Sequence, residues 1–415
     1  MNRQIISDGA WVTLGQLASA LGTLASVRIL TEVLSQKQFG LFVLSTGIVY
    51  LIQGMFCTPI LQAFLRLFPD FSSTKTTATL LVTAKRIVLR RTALLFVAGL
   101  AAGFAVRPYT SLSVEGLVLL NVFLACEMWR SYETNVFNAA RKQREFALLT
   151  GSDAWLKPLL VLALANATAD KVDGALWGFV SASATMAFLA LFTRRKAEGG
   201  NRVETPDKET EQRIRRFSNP LVPLSLVSWC GGNVDRYALA VILGVGAAGT
   251  YSAAYGLVSR PFLMAGQIVE QSLRQIYYEA STKGDRSLAS KTFGIWLASV
   301  GLVGLLGFLC VVWLGEWIAW LFLGVNFRDS VTVMPWIAAA YGLWGVTQAA
   351  ERRFYALYLT RSVLIIEGVG LVAMACLLPV LLPAMGIRGA AVALLVGAAF
   401  KLGCTMFAWL SLRQR

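Results

Sequence analysis

The residues of this sequence with chemistry to do are ionisable side chains set inside long apolar runs. Such a group costs about 2.5–3.5 kcal/mol at the centre of a bilayer, so each must face a polar cavity or a partner. Arg260 lies about ten residues into its run, roughly at the midplane at 1.5 Å per residue. Pro261 follows and predicts a kink. The guanidinium either stands in a water-filled cavity or pairs with a carboxylate of another helix. Asp235 and Arg236 follow Gly231-Gly232-Asn233, which loosens the helix there. Neighbours on a helix point about 100° apart, so the two are not simply a pair. Either they line a pathway or they sit at the outer interface. Arg28 and Arg66 lie near the ends of apolar runs, where snorkelling to headgroups competes with a role in a cavity.

A coupling proton or sodium ion would need a carboxylate inside the membrane. Glu127, Glu270 and Glu367 are the candidates. Each also has a simpler fate. Glu270 is four residues before Arg274, Glu127 three before Arg130, and Glu367 lies at the depth of Lys401. The chain has no histidine, which removes Ser-His-Asp and Cys-His catalysis and imidazole metal sites. The six cysteines lie in apolar segments without C-x-x-C spacing and read as small buried apolar residues. No Gly-x-x-x-x-Gly-Lys-Ser/Thr loop is present, which argues against ATP-driven pumping by this chain. An enzyme is not expected, nor is a cofactor or metal.

The elements that must position these groups are membrane helices. Of 415 residues, 56% are hydrophobic and 15% charged, against roughly 25% charged in a soluble domain. A 30 Å hydrocarbon core needs about 20 apolar residues per helix. Twelve runs meet this, centred on Ala20, Ile52, Val97, Val118, Leu156, Ala182, Ser228, Leu257, Gly301, Gly342, Gly370 and Gly397. Charges or glycines interrupt the fifth, seventh and eighth, so ten or eleven stays open as a count. The expected fold is an all-α polytopic bundle of about twelve helices, because helices satisfy their own backbone in lipid. The first run has no small-x-small cleavage site and should be retained. With the N-terminus inside and the runs alternating, 31 of the 38 Lys and Arg fall on the cytoplasmic side, which predicts two cytoplasmic termini. The net charge of +15 is therefore assigned to the membrane surface and not to nucleic acid. Trp313, Trp317, Trp320 and Trp336 read as an outer interfacial belt.

The most polar stretch, Thr193 to Ser218, reads as a flexible cytoplasmic linker between a six-helix lobe at 1–192 and a second at 219–415. A shift of 209 positions sets Gly22 on Gly231, Leu30 on Leu239, Leu34 on Leu243, Gly40 on Gly249, Gly47 on Gly256 and Val49 on Val258. An even number of helices per copy gives parallel repeats about a pseudo-two-fold axis along the membrane normal, with the pathway expected between the halves.

Three stretches resemble a known family. "RILTEVLSQKQFGLFVLSTG" (Arg28 to Gly47) is similar to the Leu-Ser … aromatic-Gly start of polysaccharide-type flippases. "DRYALAVILGVGAAGTYSAAYGLVSRP" (Asp235 to Pro261) resembles the Asp-Arg … Gly-x-Tyr … Ala-Tyr signature of that family. "MGIRGAAVALLVG" (Met385 to Gly397) resembles its start to the last helix. The family is that of the lipid-linked oligosaccharide and O-antigen flippases, in the multidrug, oligosaccharidyl-lipid and polysaccharide exporter superfamily. The resemblance implies two six-helix lobes around a cavity that opens alternately to either side of the bacterial inner membrane. It implies an undecaprenyl-diphosphate-linked oligosaccharide as substrate, and partners among membrane lipids and polysaccharide polymerases or glycosyltransferases. Of the candidate arginines, only Arg236, with Asp235, falls on a family motif. A multidrug antiporter of the same superfamily is the competing expectation. Its cationic substrates would favour an acidic cavity, against which the arginines count.

Overall fold

A computed structural model describes residues 2–73, 76–198, 205–357 and 359–413. Lys75, Arg202, Arg415 and the centre of the polar stretch, 199–204, lie outside the described residues. Among the described residues the chain forms fourteen α-helices and no strand. They are α1 (Asn2–Val33), α2 (Gln36–Phe56), α3 (Thr58–Ser73), α4 (Thr77–Val106), α5 (Val114–Ala139), α6 (Gln143–Leu164), α7 (Lys171–Glu198) and α8 (Lys208–Ser218). There follow α9 (Leu221–Ile242), α10 (Val245–Lys283), α11 (Arg286–Phe322), α12 (Met334–Ala356), α13 (Thr360–Met385) and α14 (Ile387–Arg413). Helices α2 and α3 are one long segment broken at Cys57, beside Pro59, and α8 is short and polar. The twelve long segments that remain coincide with the twelve apolar runs.

Eight of the twelve are apolar enough over a span to cross a membrane. Those that fall short are α5, α9, α10 and α12. These helices carry Glu127 and Arg130, Asp235 and Arg236, Arg260 and Glu270, and Glu351 and Arg352. The fifth run, α6, clears the threshold despite its charges. The fourth and tenth, α5 and α12, do not. Proline and glycine set the ends. Gly284, at φ +75°, closes α10, and Gly386, at φ +60°, turns the chain from α13 into α14. Pro261 lies inside α10, which continues through it.

The chain divides into two compact units. One comprises the residues up to Leu34 and Leu41–Trp229, the other Ser35–Gly40 and Cys230–Arg415. The division thus falls within α9, and the second unit takes the first turn of α2. The polar stretch is also more ordered than its composition suggests. Helix α7 continues to Glu198, and α8 forms from 208 onward. Asp207 caps α8: its Oδ2 accepts from the Thr210 amide at 2.8 Å and the Thr210 hydroxyl at 2.7 Å. The Asp207 amide donates to the Thr83 hydroxyl on α4 at 3.1 Å. Thr210, Ile214 and Ser218, four residues apart, form one buried face, while Arg213–Glu209 and Arg215–Glu211 pair on the exposed side. One apolar residue at the right period, plus a cap, is enough to dock an otherwise charged segment.

Small residues bring the helices of each unit together, as expected where lipid offers no hydrophobic drive. In the first unit, Gly15, Ala18 and Gly22 of α1 meet Ala147, Gly151 and Ala154 of α6. A Cβ added at Gly22 would lie 2.8 Å from the Ala154 backbone. Ser113 caps α5 by accepting from the Gly116 amide at 2.7 Å and donates to Asp173 of α7 at 2.6 Å. In the second unit, Gly304 of α11 lies against Gly342 of α12, and Gly370 of α13 against Gly397 of α14. Trp313, Trp317, Trp320 and Trp336 are exposed, as an interfacial belt requires. The cysteines depart in part from expectation: Cys57 is buried, but Cys310 and Cys376 are exposed on helix surfaces, where a thiol is apolar enough to face lipid.

The 209-residue shift reappears in the backbone. Helix α1 ends at Val33 and α9 at Ile242; α2 begins at Gln36 and α10 at Val245. Within the second unit the two starts touch reciprocally. A Cβ on Gly40 would lie 2.1 Å from the Val245 carbonyl oxygen, and one on Gly249 would lie 2.1 Å from the Gln36 carbonyl oxygen.

Candidate functional site

In the first unit, α5 and α6 bring four charges together, and α7 adds a hydroxyl. Glu127 accepts two hydrogen bonds from the Arg130 guanidinium, one at 3.0 Å from Nε, and one at 2.8 Å from the Ser183 hydroxyl. Lys157 reaches Glu127 at 3.4 Å and Asp153 at 2.9 Å. Asp153 also lies 3.6 Å from Arg130 Nε. Two acids and two bases cancel, and the phenylalanine rings of Phe123 and Phe179 flank the Lys157 ammonium. A second buried pair, Arg194–Glu133 at 2.8 Å, ties the end of α7 to α5.

In the second unit, Asp235 and Arg236 go separate ways. Asp235 is buried and accepts from the Tyr251 hydroxyl at 2.7 Å. The Arg236 guanidinium stacks on Tyr255 at 4.1 Å and donates to Asn233 at 3.1 Å. Tyr255 and Tyr341 share a hydroxyl–hydroxyl bond of 2.6 Å, so the motif is fastened to α12. Deeper along α12, Lys401 of α14 pairs with Glu367 of α13 and lies 3.9 Å from Glu351. Gln348 donates to Glu367 at 3.1 Å. Glu351 is 1% exposed, and neither of its carboxylate oxygens has a hydrogen-bond partner among the described residues. Two carboxyls thus share one ammonium.

A cavity of about 230 Å³ lies between α10, α11 and α12 of this unit. Phe262, Tyr341 and Trp344 supply aromatic faces, and Gln267, Glu270 and Arg352 supply polar groups. Glu270 bridges Arg274 at 3.3 Å and Arg352 at 3.0 Å. The close Gly304–Gly342 approach forms part of its wall.

The candidate residues therefore sort by partner. Glu127, Glu270 and Glu367 all stand in ion pairs, which is the simpler of their two fates. Arg28 pairs with Glu32 at 3.1 Å, and Arg66 is exposed 4.0 Å from Asp70. Arg260 differs. It is exposed on α10 and has neither an ion pair nor a hydrogen bond among the described residues. Its neutralisation by a carboxylate of another helix is not what the structure shows. Sequence reading missed Asp153, Lys157 and Ser183, although the Asp153–Lys157 spacing of four was visible. It also missed Glu351, for which no local signal existed.

The sequence profile described as "Polysaccharide biosynthesis protein" matches residues 5–273. No curated protein matches the chain. Among solved structures, a lipid II flippase MurJ in an inward closed conformation superposes with a TM-score of 0.77 at 12% identity, over 96% of this chain and 87% of that one. An inward-facing multidrug resistance MATE family transporter of the MOP superfamily gives 0.76 at 12% identity, over 97% and 98%. A Vibrio cholerae MATE transporter gives 0.69 at 13%, over 100% and 97%. At these identities the likeness is one of fold.

Proposed function

We propose a function from one premise: the chain belongs to the polysaccharide biosynthesis protein family. It is a multi-pass membrane protein with the fold of MOP-superfamily transporters and flippases. On our reading it is an alternating-access transporter and not an enzyme. It moves an undecaprenyl-diphosphate-linked oligosaccharide from the cytoplasmic to the periplasmic leaflet of a bacterial inner membrane. The product feeds surface polysaccharide synthesis, as O-antigen, capsule or exopolysaccharide, and polymerases or glycosyltransferases are the expected partners.

The observation that carries this reading is Arg260, an exposed guanidinium with no anionic partner among the described residues, well inside a 39-residue helix whose other charges are paired. A diphosphate cannot cross hydrocarbon unaided, and the planar guanidinium fork matches phosphate oxygens in pairs. A short way along the same helix, the cavity of aromatic and amide side chains has the surface chemistry of a glycan site. A cation exporter would instead call for an unpaired carboxylate facing the pathway.

The test is translocation of a defined diphosphate-linked glycan by purified protein in liposomes, scored per folded molecule. Arg260→Ala should abolish flipping while leaving folding intact. Arg260→Lys should keep part of it, because the charge survives and the fork does not. Normal activity of Arg260→Ala would reject the binding role. We further propose ion antiport as the driving force. The same vesicles test it, since flipping that persists unchanged without a proton or sodium gradient rules out tight coupling.

A further inference from the structure

None of the charged clusters uses the long apolar groove along α13 and α14. It has a volume of about 790 Å³, and its lining includes Ile365, Val369, Val396, Phe400 and Phe407. On α14 the lining runs from Leu395 to Ala408, about 20 Å at 1.5 Å per residue. That exceeds the depth of one leaflet of a core about 30 Å thick. The wall behind is packed: Val363 and Ile366 form a buried cluster with Phe354, and Cys404, Ala408 and Trp409 close on it. The front is open, with Ile365, Phe400 and Phe407 each more than half exposed. Gly403 lies on the groove, and a Cβ there would meet nothing within 4 Å.

One end of the groove is cationic. Ser362, in the lining, follows the exposed Arg361. Ala408, also in the lining, precedes Trp409, and the Arg353 guanidinium lies over that ring at 5.4 Å. Neither Arg353 nor Arg361 has a carboxylate partner among the described residues. This end adjoins the α12–α13 turn, on the side that the basic-residue asymmetry gives to the cytoplasm.

We propose that the groove is the seat of the substrate's isoprenoid chain in the cytoplasmic leaflet, with the diphosphate held by Arg353 and Arg361. The proposal rests on the flippase reading and adds to it a lipid subsite separate from Arg260. A single channel with two unpaired cations at its mouth matches a single-chain lipid with two phosphates. A glycerophospholipid brings two chains and one phosphate.

Full-length protein in detergent, photolabelled with undecaprenyl diphosphate carrying a photoreactive isoprenoid unit, tests this. Wild type should give adducts on α13 and α14, at residues such as Phe400 and Phe407, and excess phosphatidylglycerol should not displace the label. Gly403→Phe fills the groove from a position with free space around it. It should cut labelling roughly tenfold or more, a loss of about 1.4 kcal/mol or more, with unchanged thermal unfolding. Arg353→Ala with Arg361→Ala should lower labelling by the diphosphate lipid more than labelling by undecaprenol. Adducts elsewhere on wild type, or full labelling of Gly403→Phe, would overturn the groove and leave the flippase reading standing. Displacement by equimolar phosphatidylglycerol would make it a site for ordinary bilayer lipid. No labelling of wild type at all would bring down both readings. If Gly403→Phe fails to fold, the wild-type adduct map decides alone.

Discussion

A carboxylate in hydrocarbon keeps its charge only where cations and hydroxyls surround it, and Glu127 has Arg130, Lys157 and Ser183. Removing one member of such a set strands the others, at a cost of about 3–5 kcal/mol. Lys157→Met should therefore lower the unfolding temperature in detergent substantially, because Glu127 and Asp153 lose their shared cation. Lys157→Met combined with Asp153→Asn should recover more than half of that loss, since one stranded charge is gone. Strictly additive losses would show that the four residues do not act as a unit. The sequence showed the partnerships that run along one helix, Glu127–Arg130 and Glu270–Arg274, because their spacing of three or four is local. It could not show Lys157 reaching Glu127 across 30 positions, nor Glu351 beside Lys401 across 50. Those contacts depend on which helices are neighbours and how each is rotated.

Among the described helices, α8 has the least apolar sequence. Its hold on α3 and α4 rests on Ile214 and on the Asp207 cap. Ile214→Asp should therefore raise the hydrogen-exchange rate of 208–218 to that of an undocked segment while leaving α4 protected. Asp207→Ala should do so in part. The cap also sets a pH dependence. The Thr210 hydroxyl and amide hold the Asp207 carboxyl below the usual carboxylate range. The contribution is complete above the ordinary carboxylate pKa and disappears only as pH falls through the lowered value. Exchange protection of α8 should be flat through neutral and mildly acidic pH and fall in stronger acid to the level of Asp207→Ala. If Asp207→Ala shows the same fall in strong acid as wild type, the cap is not what the pH change removes. The long helices were legible from hydropathy alone. This one was not, because composition averages away a single buried isoleucine.

For the whole chain, the asymmetry of Lys and Arg remains the strongest argument for orientation, and its value is conditional on the count of twelve alternating segments. Reporter fusions after Arg415 and within 193–218 should both report cytoplasm. A periplasmic signal from either would invert the topology. The twelve segments and the repeat could be read from sequence because both leave long-period patterns. The placing of Ser35–Gly40 with the second unit, and the division of α9 at Trp229, could not. Unit membership is decided by contacts, and a helix that continues across a division leaves no mark in its composition.

Gly40 and Gly249 occupy corresponding positions in the 209-residue repeat. Each copy presses on the backbone of the first residue of the other copy's helix, Val245 or Gln36. Inside the second unit, these two helix starts therefore meet reciprocally, as a patch does on a two-fold contact. In a pair of identical chains meeting this way, any side chain added there would clash at both contacts at once. Within one polypeptide, one of the two positions can change alone. Gly40→Ala and Gly249→Ala should each destabilise by about 1–3 kcal/mol through overpacking. The double variant should lose less than the sum, because the first methyl already forces apart the backbones that the second would meet. Full additivity in thermal unfolding would mean the two contacts yield independently.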